Sequence, residues 1–134
     1  MPDDVIVGKA QIVERCVKRA REEFAASSDF STDYTRQDAA ILNVERACEA
    51  CIDIANRIIR LRGLGAPASS RDAFAALTGA NLIEPTLADR LNRMVGFRNL
   101  AVHQYHKLDV VIVQAVIEKS LDDLLEFSSL GLCV

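Results

Sequence analysis

The residues best suited to chemistry lie close together, in the run Arg98-Asn99-Leu100-Ala101-Val102-His103-Gln104-Tyr105. A guanidinium binds oxyanions through a rigid fork of donors. An imidazole, with an ordinary pKa near 6.5, takes or gives a proton around neutrality. A phenol adds a hydroxyl two residues beyond the imidazole. Such a set suits proton transfer beside an anionic group, provided the fold brings the three together.

The spacing constrains how that can happen. Leu87, Leu91 and Met94 recur at helical intervals, and the next position on their stripe is Arg98. A charge where the pattern predicts an apolar side chain is costly unless it is paired or faces a polar cleft. Arg98 is therefore expected to line a site, an interface or a buried ion pair. His103 follows five residues later. Five helical residues turn about 500°, a net of about 140°. On a continuous helix Arg98 and His103 point apart. They meet if the helix ends or distorts between them, or if two subunits face each other. Asn99 tolerates helix-ending geometry and could start such a break, with Leu100-Ala101-Val102 anchoring the turn in the core. An extended segment beyond it would send His103 and Tyr105 to one side. The plain alternative is that His103 and His106, near a helix start, only bond backbone or face solvent.

Metal chemistry is weakly supported. Cys48 and Cys51 form C-x-x-C, but only Cys16 and Cys133 remain as further thiols and no histidine is near in sequence. Zinc needs about four ligands. Both cysteines fall on a helical apolar stripe, where a thiol packs as a small hydrophobe. His103, His106 and Asp109 have the spacing to share an ion on one helical turn, but Asp109 reads as a helix cap. No metal site and no cofactor is expected. No glycine-rich phosphate loop, nucleophile elbow or H-E-x-x-H is present.

The elements that must position these groups are helices. Ile6, Ala10, Val13, Val17, Ala20 and Phe24 step by four and three, which predicts a helix over 6–24, ended by Ser27-Ser28-Asp29. A second, central helix over 35–61 carries Ile41, Val44, Cys48, Cys51, Ala55 and Ile58. Leu42, Ala47, Ile52, Ile54 and Ile59 widen its stripe. Arg62-Gly63-Leu64-Gly65-Ala66-Pro67 stops it. A short helix over 71–78 follows, with Ser69 and Asp72 as a capping pair. The next starts near Pro85-Thr86, with Thr86 and Asp89 as a similar pair. The last begins after Leu108-Asp109, with Asp109 as N-cap, and carries Val113, Ile117, Leu121, Leu124 and Phe127. No strand pattern and no repeat is visible. The expectation is one all-α domain over 1–134, with four longer helices and one short helix in an up-down bundle.

The totals agree. A chain of 134 residues, half of them hydrophobic, can bury one real core. The acidic start, Met1-Pro2-Asp3-Asp4, lacks a signal-peptide pattern. No run approaches the roughly 20 apolar residues of a membrane span. A cytoplasmic protein with no membrane partner is expected. The net charge of −3 argues against non-specific nucleic-acid coating. The charge is uneven, however. Residues 84–107 hold four basic and two acidic side chains plus both histidines, and residues 108–134 hold one basic and five acidic. An RNA would have to use the local patch around 84–107.

The run Met94-Val95-Gly96-Phe97-Arg98-Asn99-Leu100-Ala101-Val102-His103-Gln104-Tyr105 resembles the M-V-G-F-R-N and R-x4-H-x-Y signature of HEPN-domain proteins of the HepT type. Ala50-Cys51-Ile52-Asp53-Ile54-Ala55-Asn56-Arg57-Ile58-Ile59 also resembles that family, and the likeness extends over about 5–127. It implies the toxin of a toxin–antitoxin pair. That toxin is a metal-independent endoribonuclease in which the ribose 2′-hydroxyl attacks its own phosphate and leaves a 2′,3′-cyclic end. Arg98 and His103 would be catalytic. Asn99 would orient the phosphate or the motif backbone. The resemblance also implies a homodimer that pools two copies of the site. It further implies a minimal nucleotidyltransferase (MNT) antitoxin that attaches AMP to Tyr105. Asp53 is a supporting candidate, either orienting Arg98 or His103 or pairing with Arg57 four residues on. The alternative from another class is a non-catalytic helical module that dimerises and binds a nucleotidyltransferase. It needs only Tyr105 and an apolar surface.

Overall fold

The stripe Ile6, Ala10, Val13, Val17 and Ala20 is buried along one side of α1 (Asp4–Ala26). The computed structural model describes residues 3–134; Met1 and Pro2 of the acidic start lie outside the described residues. Asp3 opens α1 by accepting the Val5 and Ile6 amides at 3.0 and 3.2 Å. Arg57 clasps the same carboxylate at 3.1 and 2.9 Å, so the cap is tied to the next helix. Ser27 ends α1, as its sequence suggests. The Phe24 ring leans on Phe30, centroids 5.0 Å apart.

The central helix, α2 (Tyr34–Arg62), is capped by Asp33 and closed by Gly63 at φ +64°, a conformation glycine adopts without strain. Its apolar stripe is buried, as are Ala47, Ile52, Ile54 and Ile59. Leu42 departs from expectation and is 43% exposed. It lies about 100° beyond Ile41, on the side away from the core. Cys48 and Cys51 are core residues whose thiols point at the carbonyl oxygens of Met94 and Leu124, at 3.8 and 3.7 Å. Burial pushes both thiols up, Cys48 to about 12, so both stay protonated and unreactive near neutrality.

In α3 (Ser70–Gly79) the Ser69 hydroxyl accepts the Asp72 amide at 3.2 Å, the pairing its sequence predicts. Phe74 meets Phe127 edge-on, at 5.4 Å between centroids. The start of α4 (Pro85–His103) corrects an expectation. Thr86 and Asp89 do not cap it. Glu84 precedes it without a side-chain cap bond, and Pro85 takes the first position. Proline suits that place because it has no N–H to satisfy and its φ already fits.

A 3₁₀ turn (Tyr105–Lys107) leads to α5 (Val110–Ala115), which Asp109 caps by accepting the Val111 amide at 2.9 Å. A π turn (Val116–Ser120) carries the rod on into α6 (Leu121–Leu132). Val113, Ile117 and Leu121 recur every four residues, slightly more than one α turn. The wider π turn keeps all three on the buried side. With α5 to α6 taken as one rod, four longer helices and one short helix form an all-α up-down bundle. α1 lies along α2, α6 packs on both, and α3 and α4 close the far side. One hydrophobic cluster runs through all of them.

Candidate active site

Arg98 stays on the stripe of Leu87, Leu91 and Met94 and so faces α2. Its Nη2 meets Glu49 Oε2 at 2.6 Å, and Nη1 donates to Asn99 Oδ1 at 2.8 Å. The Nε group is buried with no partner among the described residues. Of the three settings open to Arg98, an ion pair exists, but at the rim and not buried: the Arg98 and Glu49 side chains are 24% and 47% exposed. The guanidinium is fixed in direction and keeps a donor to spare.

His103 does not join Arg98 within this chain. Of the two arrangements that could unite them, the helix break that Asn99 could start is absent, and α4 continues through His103, with the Gln104 amide still bonded to the Leu100 carbonyl at 2.8 Å. Of the expected anchor Leu100-Ala101-Val102, only Ala101 is buried, and Val102 is 42% exposed. That single anchor holds the last turn in α-helical form. Arg98 and His103 are thus about 140° apart around one helix and about 7.5 Å apart along it. His103 ends the helix in solvent. Tyr105 does not follow it on an extended strand. Gln104 turns the chain at φ −141°, ψ 47°, and Tyr105 opens the 3₁₀ turn.

Tyr105 reaches back to α2, where its hydroxyl donates to Asp38 Oδ1. Burial, and then the Asp38 carboxylate, push the phenol up to about 12. Both groups line a cleft of about 390 Å³ with Tyr34, Ile41, Leu108 and Val110. Asp53 is placed elsewhere. It pairs with Lys9 of α1 at 2.9 Å, while Arg57 is taken by Asp3, and Asp53 contacts neither Arg98 nor His103. The acid that meets Arg98 is Glu49, one turn earlier on the same face. Asp38, Glu45, Glu49 and Asp53 are spaced seven, four and four apart, which puts them on one side of α2. That row is the signal by which Glu49 and Asp38 could have been found from sequence.

The described residues contain no group of three or more His, Cys, Asp or Glu placed to hold one ion. Asp109, once a candidate ligand, is used as a cap. What the arrangement offers is an oriented guanidinium and an exposed imidazole on the last turns of α4, and an exposed phenol in the 3₁₀ turn that follows.

Comparison with known proteins gives this arrangement a context. A family model described as ribonuclease HepT-like matches residues 12–130. The mRNA nuclease HepT of Shewanella oneidensis is 47% identical over 125 residues, which is 93% of this chain and 94% of that protein. A solved structure of the tri-AMPylated S. oneidensis HEPN toxin in complex with MNT antitoxin is similar at TM-score 0.91 and 46% identity, over 96% of each chain. A cytosolic protein of unknown function, YutE of Bacillus subtilis, shares the fold at 18% identity and TM-score 0.75, over 92% of this chain and 86% of YutE. The matched span takes in the acidic row of α2 and the whole of Arg98 to Tyr105, and by that match the chain belongs to the HepT-like ribonuclease family.

Proposed function

We propose that this chain is the cytoplasmic toxin of a toxin–antitoxin pair, a metal-independent endoribonuclease whose site is shared across a homodimer. The observation that carries this is the unbroken helix between Arg98 and His103. One chain aims the two groups apart, while a two-fold axis near the end of α4 supplies two copies of each to one cleft. The ribose 2′-hydroxyl attacks the adjacent phosphorus and gives its proton to one His103. The second His103 protonates the departing 5′-oxygen. Arg98 binds the phosphate and stabilises charge on the phosphorane, with Asn99 and Glu49 holding the guanidinium in line. The product carries a 2′,3′-cyclic phosphate. Asp53 supports the site at a distance, steadying Lys9 in the groove that continues past Glu49.

Control acts on Tyr105. The similar Shewanella toxin is AMPylated and bound to an MNT antitoxin, and Tyr105 is exposed two residues from His103. AMP on that hydroxyl adds negative charge and bulk where the RNA phosphate must enter.

RNA cleavage in EDTA and growth arrest test the reading. Wild type cuts and leaves cyclic ends. Arg98→Ala falls about 10²- to 10³-fold and His103→Ala about 10²- to 10⁴-fold. If all three behave alike, the catalytic assignment fails. Tyr105→Phe stays toxic and escapes the antitoxin; its normal neutralisation by AMP transfer refutes the control site. A fully active monomer in sedimentation-matched assays sinks the shared site.

A further inference from the structure

The chain has two tyrosines, and both line the same cleft. Tyr34 is the more exposed, at 72% against 44% for Tyr105. Exposure alone would make Tyr34 the better target for modification. The difference between them is a carboxylate. The Tyr105 hydroxyl donates to Asp38, while no hydrogen bond from the Tyr34 hydroxyl occurs among the described residues.

A neutral phenol is a weak nucleophile. To attack phosphorus it needs an acceptor for its proton within hydrogen-bond reach. The groups facing Tyr105 can be named. α2 presents Tyr34, Asp38 and Glu45, and Asp109 stands at the start of α5. Its own stretch of chain carries His103, His106 and Lys107. Asp109 is engaged by the Val111 amide, and Glu45 acts on the phenol only through its charge. Asp38 alone touches the hydroxyl. The phenol, pushed up to about 12 by burial and this carboxylate, does not ionise in advance, so its proton must leave as the new bond forms.

We propose that Asp38 is the general base for nucleotidyl transfer onto Tyr105, so that the toxin supplies the catalytic carboxylate for its own silencing. This rests on the control reading above. The donor is a nucleoside triphosphate. Tyr105 Oη forms a bond to the α-phosphorus, and the bond from that phosphorus to the α–β bridging oxygen breaks. Pyrophosphate leaves with the electron pair, and the phenolic proton passes to Asp38 Oδ1. The products are a tyrosyl nucleotide ester and pyrophosphate, with no change in oxidation state. The same contact selects Tyr105 over Tyr34.

The test uses the full chain, its cognate MNT-type nucleotidyltransferase and ATP, with transfer followed by intact mass and peptide mapping across pH. Asp38→Asn lowers the rate about 10²- to 10⁴-fold at neutral pH. The deficit narrows as pH rises, because hydroxide takes over the proton, and Asp38→Glu restores most of the rate. RNA cleavage by unmodified Asp38→Asn matches wild type, which shows that the variant is folded. Three results overturn the proposal: transfer to Asp38→Asn at the wild-type rate, an equal fractional loss at every pH, or wild-type labelling on Tyr34. If wild type cuts RNA but takes no AMP, the control reading fails and this inference with it, while the cleavage reading stands.

Discussion

Glu49 converts Arg98 from a charge on an apolar stripe into an aimed guanidinium. Two of its nitrogens are held, by Glu49 and by Asn99, at 2.6 and 2.8 Å. A group fixed before substrate arrives loses little freedom on binding, and a displacement of about 1 Å can cost about a hundredfold in rate. Glu49→Ala is therefore expected to lower kcat for RNA cleavage by about 10- to 100-fold, with KM little changed. Glu49→Gln, which keeps an acceptor of the same length, retains most of the rate. Equal kcat for wild type and Glu49→Ala would show that Arg98 needs no such support. At this scale Arg98 was legible because it broke a pattern. Glu49 and Asp38 were not, because carboxylates on a helix look like a solvated face until the packing partner is known. Asp53 drew attention through its place in a family-like stretch, yet α1 puts Lys9 beside it.

Helix existence was legible throughout, since the four-and-three stepping of apolar residues depends only on which face is buried. Helix ends were less so. Pro85 out-competed Thr86 for the start of α4, and Asn99 stayed helical because Ala101 anchors the following turn. The π turn at Val116–Ser120 showed in sequence only as steps of four, which an ordinary helix also tolerates. Close packing between elements was not legible at all. Gly131 of α6 lies where a Cβ would come 2.9 Å from Ile54 Cγ2 and 3.6 Å from Ile6 Cγ2. Gly131→Ala should lose about 1–3 kcal/mol to overpacking, more than the roughly 1 kcal/mol that alanine's helix preference returns. Gly8→Ala in α1 meets nothing within 4 Å and should gain about 0.5–1 kcal/mol. Urea midpoints of the two variants should therefore move in opposite directions at unchanged m. A shift upward for both would contradict the contact.

The molecule as a whole is net acidic, at −3, so in the proposed reaction RNA must be drawn by local groups at the end of α4 and not by the overall field. Ion pairs also set how the bundle responds to acid. Arg57 holds the Asp3 carboxyl below its ordinary range, Arg36 and then Arg19 do so for Glu23, and the Ser31 hydroxyl does so for Asp29. Their stabilisation is complete above the ordinary carboxylate range and is lost as pH falls through their lowered values. Denaturant midpoints should stay level from pH 7 to about 5 and drop below about 4. Asp3→Asn with Glu23→Gln should flatten that drop; an unchanged profile would mean other carboxylates govern it. Every residue from Val102 to Lys107 is exposed, although the helices on either side are anchored in the core. Local opening is easiest where few apolar contacts resist it. The imidazole proposed as catalytic, on His103, and the phenol proposed as the control site, on Tyr105, therefore ride on backbone whose amide hydrogens trade with solvent early. A bound RNA or antitoxin would register there first, as slowed exchange.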